Sequence, residues 1–260
     1  MSHPGAVSSR WPDSHVGERV DVHTVRICQD TSSHDTPLPG YFEVRQYEYG
    51  RMVPDILIDP DAFFEREALD PGWLRPTGIV LLSALVGVIG SIPIIRATVA
   101  NLPPEVGSFS ALVYVVGAAG GVVGTLIFWV LYAGLFHVIS AAGFGGDGPF
   151  SETLKLTGWG FIPHVVSGSI SAIVNFYVFS GVRFPSDPVQ IQAFIGSLRS
   201  RPIFIVAELL GIAFLLWSAF LWTFAMRHGR NLRLKEAAIT VAIPVAIGLL
   251  YRLYTILGGL

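Results

Sequence analysis

Charge is scarce in this chain of 260 residues. Asp, Glu, Lys and Arg together make up 14% of it, against roughly 25% in a soluble globular domain. With 52% hydrophobic residues and a mean hydropathy of +0.57, the shortfall argues that much of the protein is dissolved in lipid. A net charge of −2 gives no reason to expect nucleic-acid binding, which needs a basic patch. The only cysteine, Cys28, excludes an intrachain disulfide and leaves the redox compartment unread. The opening MSHPGAVSSRWPDSHVGERV lacks an apolar core, so no cleaved leader is expected and the first span should act as an uncleaved signal anchor.

Long apolar runs are abundant. Five of them can each cross a hydrocarbon core of roughly 30 Å, which takes about 20 helical residues. They are placed at 77–99, 112–139, 158–180, 203–226 and 237–257. Backbone groups in lipid must be satisfied within the segment, so these runs should be helices, and they lack the alternation of a membrane β-barrel. The expected fold is all-α: a polytopic membrane bundle of five transmembrane helices with short interfacial helices. The densest basic stretch, RHGRNLRLKE between spans four and five, places that side in the cytoplasm. The expected localisation is the cell (plasma) membrane, with a cytoplasmic N-terminus and an extracellular C-terminus.

Residues 1–52 hold four of the seven histidines and no periodic element. They read as a disordered N-terminal extension or, alternatively, as upstream sequence of a protein that starts at Met52. The membrane domain is then 53–260. Its first element, DPDAFFEREALDP, has Asp59 as a helix N-cap and Pro60 at the first helical position. Phe63 and Phe64 give that helix an apolar side suited to the membrane interface. A second helix of this kind is expected in SDPVQIQAFIGSLRSRP, capped by Asp187 and Pro188, with Ile191, Phe194, Ile195 and Leu198 along one side.

Polar and small residues punctuate the spans. GAAGGVVG pairs Gly117 with Gly121 and Gly120 with Gly124, a spacing that lets helices approach closely. Either homo-oligomerisation or packing inside the bundle would use it, with Gly87 and Gly90 as a partner groove. In span three, Thr157 is expected as the cap, Trp159 at the headgroup level, and Pro163 within the first turns, where a kink is tolerated. His137 and His164 suggest interhelical hydrogen bonds rather than a metal site, which needs three or four ligands. Arg252 should snorkel to the outer end of span five, with pairing to Glu105 as the alternative. The spans are read as free of carboxylates, which counts against proton-coupled transport.

The five-span layout, DPGWLRP at 70–76 and GWGFIP at 158–163 together resemble the Yip domain proteins, a family named for interaction with Ypt/Rab GTPases, and in particular its prokaryotic, haloarchaeal-type members. Asp70, Pro76, Gly158, Trp159 and Pro163 occupy the family's motif positions. Trp159 stands where tyrosine is usual, and Arg75 stands where glycine often precedes the proline. The resemblance covers about residues 53–257. It implies a cytoplasmic N-terminal region before five spans and, in eukaryotic relatives, ties to vesicle traffic and membrane shaping.

The expected role is a non-enzymatic, membrane-organising or partner-recruiting bundle without a cofactor. Its partners are the lipid bilayer and a protein at the cytoplasmic face. The candidate inner-surface contacts are Phe63, Phe64, Asp70, the 143–155 loop, Arg227, Arg230, Arg233 and Lys235. The alternative is small-molecule or ion permeation, suggested by the helix-breaking prolines Pro93, Pro163 and Pro244. No pairing of nucleophile with base stands out on the spans.

Overall fold

The computed structural model describes residues 55–100, 109–182, 185, 188–199 and 201–257. The expected extension at 1–52, together with Glu105 and Asp187, lies outside the described residues, as do the side chains of Ile191 and Ile195. Eight helices are named here: α1 (Pro60–Leu69), α2 (Leu74–Val99), α3 (Ser110–Phe144), α4 (Phe150–Trp159), α5 (Ile162–Phe179), α6 (Pro188–Arg199), α7 (Pro202–Gly229) and α8 (Leu234–Leu257). Five of them, α2, α3, α5, α7 and α8, are long and apolar enough to cross a membrane. The chain forms an all-α, multi-pass membrane bundle.

The five long helices close into a ring. Each packs on two others, in the order α2, α5, α7, α8, α3 and back to α2. Their outward faces are apolar and exposed, as at Val115, Ile127, Leu216 and Ile247, because lipid rather than water is the solvent there. Hydroxyls inside the spans donate to carbonyls of the preceding turn, as Ser91 does to Val88 (2.7 Å) and Thr223 to Ala219 (2.8 Å). Pro93 and Pro244 both lie within continuous helices.

One end of the ring, called proximal here, is closed by α1 and α4. Helix α4 packs against α2, α3 and α7 at once, and α1 lies on α7 and α4. Asp59 caps α1 as its sequence requires, accepting from the Ala62 amide at 3.1 Å. The carboxylate of Asp61 then ties the helix down, accepting from Arg227 Nη1 (2.8 Å) and lying 2.6 Å from His228 Nε2. Its hydrogen bond with His228, aided by the Arg227 charge, holds the Asp61 carboxyl below its ordinary value.

The third apolar run departs from expectation. Gly158 and Trp159 do not begin a span; they end α4, and the chain breaks at Gly160 and Phe161 before α5 starts at Ile162. Pro163 therefore sits in the first turn of a new helix, where its missing N–H costs nothing. It does not kink a longer one. Thr157 caps nothing either: its hydroxyl donates to the Thr153 carbonyl at 2.6 Å inside α4.

Candidate functional site

The two sequence motifs meet at the proximal end. A Cβ placed on Gly158 would lie 2.7 Å from Pro76 Cβ, so α4 crosses the start of α2 at a distance only glycine permits. Gly160 faces the Trp222 indole, whose ring occupies the space a Cβ there would need. That indole donates from Nε1 to the Thr157 carbonyl at 2.8 Å, and Trp129 donates likewise to the Leu154 carbonyl at 2.8 Å. Two tryptophans from the ring thus fasten α4 by its own backbone. Trp159 is buried, edge-on to Phe63 with ring centroids 4.9 Å apart, and hydrogen-bonds the Glu67 carboxylate of α1. Burial raises the Glu67 carboxyl, and Arg75 opposes that shift. Asp70 is the residue at the C-terminal boundary of α1.

This arrangement corrects several expected contacts. Phe63 and Phe64 are 3% and 0% exposed, because they form the seam between α1 and the bundle; they are not free to meet a partner. Arg230 is 1% exposed. Its guanidinium donates to the Gly146 carbonyl (2.5 Å), the Gly148 carbonyl and Ser140 Oγ (3.0 Å). It holds the 145–149 turn, in which Gly145 and Gly148 adopt positive φ, against the turn between α7 and α8. Burial pulls the Arg230 guanidinium below its ordinary value, opposed by Asp147 and Glu152. Arg227 is engaged by Asp61. Arg233, bonded to Glu236, and Lys235 remain at the surface.

The small-residue pairs of α3 divide. Gly117 and Gly121 receive Ile95 and Val88 of α2, at 3.0 and 3.1 Å from their Cβ positions, whereas Gly120 and Gly124 have nothing within 4 Å. The expected partner groove is elsewhere engaged: Gly90 abuts Ala172 of α5, and Gly87 is open. Both membrane histidines make interhelical contacts, His137 Nδ1 with Thr153 Oγ1 at 3.1 Å and His164 Nδ1 with Ser218 Oγ at 3.0 Å. The His164–Ser218 pair is a nucleophile-and-base couple that the sequence, with the residues on different spans, did not display. Ser218 is fully buried. Among the described residues no cluster of three or more His, Cys, Asp or Glu could hold a metal.

The distal half of the ring is hollow. A cavity of about 640 Å³ reaches from Phe204 and Leu198 near the distal end down to Tyr132 and His164, a size within the roughly 300–1,000 Å³ of ligand pockets. On its wall Arg252 Nη1 donates to Glu208 Oε2 at 3.0 Å. Both side chains are half-exposed. Arg252 therefore does not rely on snorkelling, and the described structure pairs it with Glu208 of α7. Glu208 also overturns the reading of the spans as free of carboxylates, since it lies within the run expected at 203–226. Glu208 lies six residues after the start of α7 and Arg252 five before the end of α8, so the pair sits toward the distal ends of its spans.

With this geometry in view, the comparisons with known proteins are specific. The Yip1 domain matches residues 55–254, and the chain belongs to that family. An uncharacterized protein of Methanocaldococcus jannaschii is 28% identical over 125 residues, covering 48% of this chain and 88% of its own length. No solved structure matches the chain.

Proposed function

We propose that this member of the Yip1 domain family is a non-enzymatic membrane-organising bundle, with its proximal cap as the working surface. The observation that supports this reading is the combination of a locked cap with large apolar side chains left outside it. Ile58, Leu69 and Leu74 are 82%, 85% and 87% exposed. Trp73, next to Leu74 in the chain, is also exposed, with the Lys155 ammonium 4.9 Å over its ring, an aromatic and a cation suited to the headgroup level. A rigid, half-apolar cap set into one leaflet crowds that leaflet and bends the membrane. Arg233 and Lys235 add surface cations that attract anionic headgroups or an acidic protein partner. By the distribution of Lys and Arg near the span ends, this cap faces the cytoplasm of the cell membrane.

The test is vesicle shape. Full-length protein reconstituted into liposomes at fixed density should yield smaller or tubular vesicles by cryo-electron microscopy, and the I58S/L69S/L74S variant should not. Undisturbed vesicles with the unmodified protein, or equal deformation by the variant, would defeat the reading. A second reading, small-molecule or ion permeation, is favoured by the embedded Glu208–Arg252 pair. Saturable uptake into the same liposomes, lost in Arg252→Gln, would promote it.

A further inference from the structure

The distal cavity has the marks of a built site. Two glycines make room for its polar groups: a Cβ on Gly211 would lie 2.6 Å from Arg252 Nη1, and one on Gly248 would lie 3.1 Å from the Tyr132 hydroxyl. Gly211 follows Glu208 by one helical turn on α7, and Gly248 precedes Arg252 by one turn on α8. The sequence thus clears space for a guanidinium and a phenol within apolar runs, where ionisable side chains are rare and mark functional sites.

The ion pair is also incomplete as an ion pair. It uses one nitrogen and one oxygen, Nη1 to Oε2, whereas a guanidinium and a carboxylate can form two parallel bonds. Glu208 Oε1 and Arg252 Nη2 have no further hydrogen bond among the described residues. Each charge keeps binding capacity while still facing the other.

We propose that the cavity binds a zwitterionic membrane lipid, with the headgroup oxyanion on Arg252 and the headgroup ammonium on Glu208. The pair is neutral overall, so a purely anionic headgroup brought to Arg252 would also meet Glu208, and in low dielectric that repulsion is weakly screened. A zwitterion laid antiparallel to the pair satisfies both charges at once. Beside the polar Tyr132, His164, Asn175 and Thr255, the wall carries an apolar stretch that includes Ile94, Phe128, Phe179 and Leu215 and suits an acyl or isoprenoid chain. This inference stands apart from the cap reading, because the two charges it rests on, Glu208 and Arg252, lie toward the ends of their spans away from the cap.

Native mass spectrometry of the full-length protein tests it, with phosphatidylethanolamine and phosphatidylglycerol of matched chains as probes. Phosphatidylethanolamine should be retained roughly tenfold or more over phosphatidylglycerol. Glu208→Gln combined with Arg252→Gln should abolish that preference while helical content and monodispersity persist. If that variant does not fold, Ile205→Trp narrows the cavity without touching either charge and should lower retention of phosphatidylethanolamine by roughly tenfold. No retention, equal retention of the two lipids, or unchanged retention in the variants overturns the site. Displacement of the lipid by free phosphoethanolamine at comparable concentration overturns the lipid as the source.

Discussion

The two halves of this bundle treat polar groups in opposite ways. In the proximal half the buried anchors are spent internally: Arg230 on two carbonyls and a hydroxyl, Trp222 and Trp129 on carbonyls of α4, His137 on Thr153. In the distal half Glu208 and Arg252 face a cavity with capacity to spare. A buried cation with all its acceptors is architecture, because removing it orphans them. A half-exposed charged pair that faces a cavity, singly bonded and lodged beside glycines, is a place for something else to bind.

Breaking the fastening should cost most where the most acceptors are orphaned. Arg230→Met leaves the Gly146 and Gly148 carbonyls and Ser140 without their donor, and we expect a loss of roughly 3 kcal/mol or more. It should be read as a collapse of monodisperse protein in fluorescence-detected size exclusion, against intact behaviour for Arg233→Met at the surface.

A single methyl group comes next. In Gly160→Ala the new Cβ overlaps the Trp222 ring, so the indole must shift off the Thr157 carbonyl, and overpacking of this kind costs roughly 1–3 kcal/mol. Gly120→Ala, with nothing within 4 Å, should change thermal stability by less than about 0.5 kcal/mol. If the two alanines behave alike in a melting assay, the close approach at Gly160 is not a constraint. Changed cross-linking of Gly120→Ala would instead assign that open groove to a second copy.

The smallest effect belongs to the α1 clamp. The folded-state Asp61 carboxyl is held below its ordinary value of 3.8. Its contribution is therefore fully present above that value and lost as pH falls through the lower folded value. The clamp is partly exposed, so each ion pair contributes only about 0.2–1 kcal/mol. Protection of the amides in 60–69, taken relative to their intrinsic exchange rates, should fall below about pH 4, and Asp61→Asn should show the lowered protection already at neutral pH. Constant protection across that range would mean that the Phe63 and Phe64 seam alone holds α1.

Much of the fold was legible because lipid imposes strong one-dimensional rules. Length and apolarity mark five spans, and the Asp59-Pro60 pair marks the start of α1 within one residue. What misled was local grammar read without neighbours. GWGFIP looks like the head of a span, since glycine and proline are both tolerated there. In the folded chain Gly158 serves a crossing over Pro76, and Gly160 makes room for Trp222, 62 positions away by the numbering. Phe63 and Phe64 were legible as an apolar side, but not as the side turned inward. Glu208 was in plain sight, yet a lone carboxylate in an apolar run acquires meaning only from the Arg252 opposite it.

By itself the sequence determined the solvent, the number of membrane crossings and the family, because these depend on composition, run length and short motifs along the chain. Only the tertiary structure decided the ring order, which polar groups are consumed and which stay available. Those outcomes depend on pairs such as Gly158 with Pro76, Arg230 with Gly146 and Glu208 with Arg252, brought together by helix packing across long stretches of chain.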